Sequence, residues 1–428
     1  MKLIASATIK MKKNILPQFI ATLYKYNMDI NTINLTESDS KWEEYAIDIV
    51  YSVKKDLVRL VDTLKKNIEF FKEVTVTSML EDKIKGGILI TSSKIEIENI
   101  NDIQTALIGG NKLIHEKIES DLQKNYCASF NSIALISGVK NLDEADDRLF
   151  YHLYADSERD SALIKKFTGK NSFPIVIKYN TIEDMVKAVK CIEQNFCCIR
   201  IMNNDEDDYL LANIINSVTT PLIFKELNEN PIYYLSIINT LGKKNNIVPS
   251  ETSIGIIGLN NSIIKLTSLL GQSGYMKVLG YDSNERRMML FENRKGLATT
   301  IENVISNSDI LMIMDEKISY DYINSFRAGQ IIISGITDDF ADAKSLEARG
   351  VRELIKIEDT GYLSILPGLL NAFIESAEKH LSDSMLINIA ACISKHINNQ
   401  CEFPNLFNNL NLGIEDIILN DGQPPLMS

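Results

Sequence analysis

The sequence predicts an α/β protein made of a ferredoxin-like α+β domain, a second α/β domain, and a Rossmann-like domain with a doubly wound parallel sheet. Residues 1–80 show the order strand, helix, strand, strand, helix, strand, which is ferredoxin-like. Residues 253–282 show a strand, a tight turn, a helix and a second strand, as in a dinucleotide-binding βαβ unit. At 428 residues the chain is long enough for two or three such domains.

The composition is that of a globular protein, with 45% hydrophobic and 24% charged residues. A net charge of −12 argues against nucleic acid as a partner, because phosphate binding needs a basic face. We find neither a signal peptide nor a segment long enough to span a membrane, so we expect no membrane partner. The six cysteines are scattered, and only Cys197 and Cys198 are adjacent, which favours a reducing, cytoplasmic location.

The N-terminal elements follow from the spacing of apolar residues. Residues 2–9 alternate as a strand, and residues 15–26 have helical spacing. Further strands are predicted at 29–35, 45–51 and 74–77, and a second helix at 57–68. At the start of a longer chain this unit resembles an ACT regulatory domain, to which we assign residues 1–80. The turn at residues 12–14 lacks the family's Pro-Gly pair, so the resemblance implies a dimerisation module, with a small-molecule sensor as the alternative.

The βαβ unit at residues 253–282 has only part of a nucleotide-binding fingerprint. Gly258 supplies the tight turn, and Asp282 lies about twenty residues further on, where a ribose-binding carboxylate is expected. The other two glycine positions hold Asn260 and Ile263, whose side chains stand where a pyrophosphate would approach bare backbone. The pattern predicts a weakened or empty nucleotide site, and both residual binding and a purely structural βαβ unit stay open.

From residue 87 almost to the C terminus, the chain resembles bacterial malic enzymes. The resemblance rests on the order and spacing of several segments, of which the helix and Phe-Pro-Ile strand at residues 162–175 match best. On this basis we assign residues 81–245 to a malic-enzyme-like N-terminal domain, 246–400 to the NAD-binding-type domain, and 401–428 to a C-terminal tail. The matching segments are residues 162–175, 182–192, 221–226, 232–243, 253–283 and 366–372.

The resemblance implies a tyrosine general acid and a lysine general base, and both are replaced. The position of the acid falls on Leu107, which cannot donate a proton. The position of the base falls on Asp160, which reverses the charge beside a metal or a carboxylate substrate. Ordinary malate chemistry is therefore not expected.

The family's divalent metal, Mn²⁺ or Mg²⁺, is held by hard oxygen ligands. The first two ligand positions fall on Met202 and Asn203, which are poor ligands for such a cation. The third falls on Glu226, which could still ligate but has Lys225 beside it. A register shift could bring the acidic run at residues 205–208 into a metal site, although a solvated loop that caps the helix predicted at 209–218 is the favoured interpretation.

The remaining family motifs are also changed. The early glycine loop falls on residues 138–149, where acidic and bulky residues replace the glycines. Two late polar pairs fall on residues 337–338 and 361–362. The four histidines, His115, His152, His380 and His396, lack metal-binding spacing.

These replacements predict a malic-enzyme homologue that has lost its acid, base and metal ligands and acts as a regulatory or scaffolding subunit. We expect a homo-oligomer, most simply a dimer, or a hetero-oligomer with an active malic enzyme. No cofactor is expected, and the βαβ unit becomes the packing centre of a former dehydrogenase domain. The first alternative is a divergent NAD(P)-dependent malic oxidoreductase that uses NAD and Mn²⁺ or Mg²⁺, and the second is a small-molecule sensor acting through the ACT-like domain.

Overall fold

The computed structural model describes residues 3–78, 86–90, 96, 98–104, 108, 110–120, 127–140, 147–203, 208–314, 318–335, 343–357, 365–376, 379–397 and 414–419. The chain divides into two compact units, Met1–Ser92 and Ser93–Ser428. In the described part of the chain, no helix is both long enough and apolar enough to cross a membrane.

The first unit has the predicted ferredoxin-like order. Its antiparallel sheet has the strand order β2-β3-β1-β4. Alternate residues of β1, including Ala7 and Ile9, are buried beside Phe19 and Leu60 of the two helices, as expected for a sheet with one covered face. The elements are β1 Leu3–Lys12, α1 Leu16–Lys25, β2 Asp29–Ser38, β3 Trp42–Tyr51, α2 Lys54–Lys66 and β4 Phe71–Ser78.

The second unit begins with a four-stranded parallel sheet and its helices. The strand order is β6-β5-β7-β8, and β5 is buried at eight successive residues because helices cover both faces. Short 3₁₀ segments lie at Ala128–Asn131 and Glu193–Asn195. The elements are α3 Gly110–Ser120, β5 Ser132–Lys140, α4 Asp147–Thr168, β6 Asn171–Tyr179, α5 Ile182–Ile192, β7 Cys198–Asn203, α6 Asp208–Ser217 and β8 Leu222–Phe224.

A π-helix, Lys225–Glu229, leads from β8 directly into α7, Asn230–Asn245. The α7 helix is buried on all sides from Pro231 to Ile238, and it packs against the helices Asn261–Gln272 and Asp383–Ile393. Its residues belong to a single hydrophobic core that also includes Leu135 of the first parallel sheet and Ile254 of the next strand. The two parallel sheets therefore share one core.

The third sheet is a doubly wound Rossmann sheet, as predicted. Its six parallel strands have the order β11-β10-β9-β12-β13-β14, so the strand order reverses direction at β9. Short 3₁₀ segments lie at Pro249–Glu251 and Tyr320–Ser325. The elements are β9 Ser253–Ile257, α8 Asn261–Gln272, β10 Lys277–Tyr281, α9 Glu285–Asn293, β11 Leu297–Ala298, α10 Ile301–Asn307, β12 Ile310–Ile313, β13 Ile331–Ser334, α11 Ala343–Ala348 and β14 Glu353–Lys356.

The C-terminal helices differ from the sequence expectation in two places. The sequence predicts a turn at Pro367 and Gly368 followed by a helix at residues 369–380. Both residues instead lie in the first turn of α12, Leu366–Glu375, where the fixed φ of proline suits a helix start. After α13, Asp383–Ile393, the segment expected to be a tail contains α14, Ile414–Leu419. Its Ile414, Ile417 and Ile418 have helical spacing and are buried in the shared core.

We predict that Gly280→Ala destabilises the protein by about 1–3 kcal/mol, because a methyl group has no space there. A Cβ at Gly280 would lie 2.5 Å from the ring of Phe291, and a Cβ at Gly296 would lie 2.3 Å from the same ring. The fully buried Phe291 ring therefore cannot move away. Urea unfolding midpoints measure the change.

The matched control is Gly271→Ala in α8, where a Cβ meets nothing within 4 Å. Alanine is the better helix former, so this variant is expected to gain about 0.5–1 kcal/mol. Equal midpoints for Gly280→Ala and the wild type would contradict the packing described here.

Candidate functional site

Three fully buried ionic side chains meet in the second unit: Asp160 of α4, Arg200 of β7 and Glu229 of the π-helix. We call these three residues the Arg200 cluster. Arg200 donates from Nε and Nη2 to the two oxygens of Glu229, both at 2.6 Å, in a bidentate pair. Its Nη1 donates to Asp160 Oδ2 at 2.8 Å. The cluster thus connects a helix, a strand and a π-helix through one guanidinium.

The alternation of β7 places Arg200 inside the protein. Ile199 and Ile201 pack into one hydrophobic core, whereas Cys198 and Met202 pack into the other, and Arg200 lies between them in sequence. A charge at this position is tolerated only because carboxylates surround it. Burial alone would raise the pKa of Asp160, but the positive charges of Arg200 and Arg159 outweigh it and hold that pKa below the ordinary value.

Met202 lies against the same guanidinium, whose Nη1 donates to its sulfur. The pairing of β5 with β7 shifts here from Ile136–Ile201 to Ser137–Asn203, which leaves Met202 as the extra residue of a bulge. The Ser137 side chain is buried, and its Oγ has no hydrogen-bond partner among the described residues. Asp160 and Met202, which the sequence resemblance aligned with a base and a first metal ligand, therefore come together, with Arg200 between them.

Glu226 lies one turn before Glu229 on the π-helix and is half-buried. Its Oε2 accepts a hydrogen bond from Ser262 at the start of α8, and its Oε1 accepts one from Asn230 at 3.2 Å. Both oxygens are thus engaged within the protein. Glu226 serves as a link between the π-helix and the Rossmann helix α8.

The turn after β9 keeps its glycine geometry. Gly258 has φ +90°, a conformation that residues with a Cβ rarely adopt, and its N–H donates to the carbonyl of Tyr281 at 3.0 Å. Asn260 is the N-cap of α8, and its Oδ1 accepts a hydrogen bond from the Ile263 N–H at 3.0 Å. A helix N-terminus binds phosphate through such N–H groups, and here the chain's own amide occupies one of them.

Asp282 is 4% exposed and holds the same turn in place. Its Oδ2 accepts from the Leu259 N–H at 2.6 Å, and its Oδ1 accepts from the Asn284 N–H at 2.8 Å. Arg287 approaches Oδ2 at 3.5 Å. Both oxygens of Asp282 therefore accept hydrogen bonds from the chain itself, which leaves the carboxylate less available to a ribose.

Several sequence-predicted positions lie outside the described residues, among them Leu107 and the pairs at 337–338 and 361–362. Asn203 is described only as the last residue of β7, and residues 205–207 of the acidic run are not described. All four histidines are exposed. The sequence positions that the structure does describe therefore form two sites: the Arg200 cluster with Met202, and the Gly258 turn with Asn260 and Asp282.

The described residues of the Arg200 cluster do not fit a divalent metal. A cation placed there would meet the Arg200 guanidinium, and the thioether of Met202 is a soft ligand that suits neither Mn²⁺ nor Mg²⁺. Within the described part of the chain, no three His, Cys, Asp or Glu residues are grouped as metal ligands. At the Gly258 turn, Asn260 caps one helix N–H group and Asp282 is bonded to two backbone N–H groups, so a dinucleotide would compete with contacts within the chain.

Sequence reasoning missed Arg200, Glu229 and Ser262. A usable signal for Arg200 was present, because a charge in the middle of the apolar run 198–202 must either disrupt the strand or be paired. Glu229 and Ser262 gave no such signal, since each lies in a mixed polar segment. Their roles depend on which elements meet in three dimensions.

The sheet orders and the Gly258 turn define a Rossmann-like α/β protein with a second parallel sheet, and comparisons with known proteins specify the fold further. No protein-family model matches the chain. Over 353 residues, 79% of this chain and 78% of the other, it is 19% identical to NAD-dependent malic enzyme 1 of Bacillus subtilis. Over 119 residues, 27% of this chain and 28% of the other, it is 27% identical to the bifunctional malic/malolactic enzyme of B. subtilis.

Solved structures of malic enzymes also match most of this chain. The NAD-dependent malic enzyme of Thermotoga maritima matches with a TM-score of 0.66 and 15% identity, covering 81% of this chain and 99% of that one. The malic enzyme of Pyrococcus horikoshii matches with a TM-score of 0.67 and 16% identity, covering 82% and 93%. The chain therefore has the malic-enzyme fold.

We predict that Arg200→Met destabilises the protein by about 3–5 kcal/mol, because it leaves Asp160 and Glu229 buried without a counter-charge. The triple variant Asp160→Leu, Arg200→Met, Glu229→Leu removes all three charges and is expected to recover most of that loss. Unfolding in urea measures both. A single variant as stable as the wild type would contradict the buried ion pairs.

We predict that the stabilisation from Asp160 is lost in acid. Its folded-state pKa is lowered, so the contribution is fully present above the unfolded pKa of about 3.9 and declines as the pH falls through the folded-state pKa. The difference in unfolding free energy between the wild type and Asp160→Asn should shrink as the pH falls below about 4. A difference that stays constant between neutral and acidic pH would contradict this assignment.

Proposed function

We propose that this protein is a non-catalytic relative of malic enzymes that acts as a regulatory or scaffolding subunit. The observation that carries the proposal is the fully buried Arg200, which pairs with Asp160 at the expected base position and contacts Met202 at the expected first metal-ligand position. An arginine guanidinium stays protonated and has no lone pair to offer a metal.

Charge and hydrogen bonding both work against catalysis at Asp160. A carboxylate bound to Arg200 and to Arg159 is a weak base, because both partners stabilise its ionised form. It also carries the wrong charge to attract a carboxylate substrate. The Asp160 carboxylate, which stands at the base position, is thus bonded to arginines of the protein and is not directed at a substrate.

The Gly258 turn supports the same proposal. The turn geometry and the strand order of a Rossmann domain are retained, while Asn260 and Asp282 bond to the chain itself. We infer that the βαβ unit now serves packing. Loss of binding groups with retention of the apolar core is expected for a protein that is maintained for its shape.

The partner in this proposal is a second copy of the chain or an active malic enzyme. The first unit offers a surface for the homo-oligomer, because β2 is an edge strand with Ile33 and Leu35 exposed. An unpaired strand edge with exposed apolar side chains is suited to pairing with another chain. We propose that this ACT-like unit is the dimerisation module.

A second candidate function is a divergent NAD-dependent oxidoreductase. The match to an NAD-dependent malic enzyme over 79% of the chain favours it, as does the preserved φ of Gly258. It requires that a nucleotide displace the Asn260 cap and that Asp282 release the Leu259 N–H. The two candidates differ in nucleotide binding and in the role of Asp282.

We predict no metal-dependent turnover when the purified protein is mixed with malate, Mn²⁺ or Mg²⁺, and either NAD or NADP. Formation of reduced nicotinamide is followed by absorbance, and an active malic enzyme serves as the positive control. Under the proposal, Asp282→Ala lowers stability by about 1–3 kcal/mol, because two backbone N–H groups lose their acceptor. The same substitution leaves the thermal response to NAD unchanged.

Clear metal-dependent turnover by the wild type would overturn the proposal in favour of the oxidoreductase. So would a saturable thermal shift with NAD that Asp282→Ala abolishes. Sedimentation of the protein alone and mixed with an active malic enzyme tests the scaffolding role. A chain that stays monomeric in both samples argues against it.

A further inference from the structure

A cavity of about 410 Å³ opens at the amino-terminal edge of the Rossmann sheet, at the opposite edge from the Gly258 turn. Its walls are the C-terminal parts of α8 and α9, and its floor is Val278 of β10. The volume falls within the range of sites for small organic molecules. Neither the Arg200 cluster nor the nucleotide-type turn contributes to it.

Three polar side chains that line the cavity have no hydrogen-bond partner in the described chain. Tyr275 is 4% exposed, and its hydroxyl has no hydrogen-bond partner among the described residues. Ser268 and Asn293 also line the cavity, and the described chain provides no partner for their side chains either. The hydroxyls of Tyr275 and Ser268 and the Asn293 amide are accessible at the cavity, where they can bond to a ligand as well as to water.

Two cations, Arg294 and Lys295, stand at the cavity wall. Neither forms an ion pair with any described residue. The nearby carboxylate of Asp383 is already bound by Lys265 and Gln272. Arg294 also helps to lower the pKa of Asp383 without forming an ion pair, whereas Lys295 has no ion-pair partner in the described chain.

The backbone of Lys295 has a conformation that is unusual for a lysine. Lys295 has φ +67°, in the left-handed region that glycine and asparagine adopt most readily. Three of the other four non-glycine residues with positive φ are asparagines, Asn14, Asn27 and Asn246. Lys295 closes a Schellman motif at the end of α9, in which its N–H donates to Glu292 and the Gly296 N–H donates to Phe291, and a lysine at this left-handed position costs stability relative to glycine.

The C-terminal carbonyl groups of α8 and α9 are bonded to backbone N–H groups and not to the side chains of Arg294 and Lys295. The final carbonyls of α8 accept from backbone N–H groups, as with Tyr275 to Leu270 at 3.0 Å. The final carbonyls of α9 do the same, as with Gly296 to Phe291 at 3.1 Å. The C-terminal partial negative charge is thus met by backbone donors, and the side chains of Arg294 and Lys295 remain available to a ligand.

We propose that this cavity binds a small organic acid whose carboxylate or phosphate group pairs with Arg294 and Lys295. The Tyr275 and Ser268 hydroxyls and the Asn293 amide supply further hydrogen bonds, and Met276 and Val278 contact the carbon skeleton of the ligand. This site is independent of the proposed loss of catalysis. It provides the second unit with a ligand site of its own.

The test uses the full chain with two probes, citrate for a carboxylate ligand and inorganic phosphate for a phosphate ligand, at matched ionic strength. We expect at least one probe to raise the unfolding temperature saturably and to bind in calorimetry. Lys295→Gly removes the charge and relieves the left-handed strain. It should therefore raise the unfolding temperature without ligand and weaken binding by about tenfold or more.

Lys187→Ala, a change of an exposed lysine on α5, is the matched control and should keep wild-type affinity. Lys295→Asn tolerates the same φ without the charge and should lose affinity like the glycine variant. The proposal is overturned if neither probe shifts the wild type saturably, or if Lys295→Gly binds as tightly as the wild type. Equal loss in Lys187→Ala would also overturn it, because the binding would then follow net charge alone.

Discussion

The second unit is built around a guanidinium that has no access to water. Arg200 lies in the middle of a strand whose neighbours are cysteine, isoleucine and methionine, and its charge is tolerable only because Asp160 and Glu229 approach from two other elements. The positions of α4 and of the π-helix are therefore coupled to β7 by charge as well as by packing. The desolvation cost of such a cluster offsets much of the attraction between its charges, so the intact cluster adds little net stability although the loss of one member is costly.

Much of the fold was predictable from local pattern. The βαββαβ order of the first unit and the strand, turn and helix around Gly258 follow from apolar spacing and from one glycine with positive φ. Pro367 was harder to interpret, because proline marks both a turn and the first turn of a helix. The three isoleucines of α14 are spaced as a helix, but the surrounding polar residues hid a segment only six residues long.

The candidate site was only partly predictable. The sequence shows which residue stands at each expected position, but it does not show which groups that residue contacts. Asn260 and Asp282 could be recognised as fingerprint positions, yet their bonds to Ile263 and Leu259 depend on the folded turn. Asp160 and Met202 could be placed by family resemblance. The contact between Arg200 and Asp160, however, joins residues that are 40 positions apart and forms only in the folded protein. Contacts over such sequence separations are set by tertiary packing.

The buried helix α7 has a consequence for how this chain can change over evolution. Because α7 is buried in one hydrophobic core that contains residues of both parallel sheets, the two sheets depend on the same helix for apolar cover. Recombination between residues 245 and 246 would separate α7 from the Rossmann sheet, so the fragment that lacks α7 would have an incomplete hydrophobic core. The two sheets are therefore expected to be inherited, duplicated or exchanged as one block.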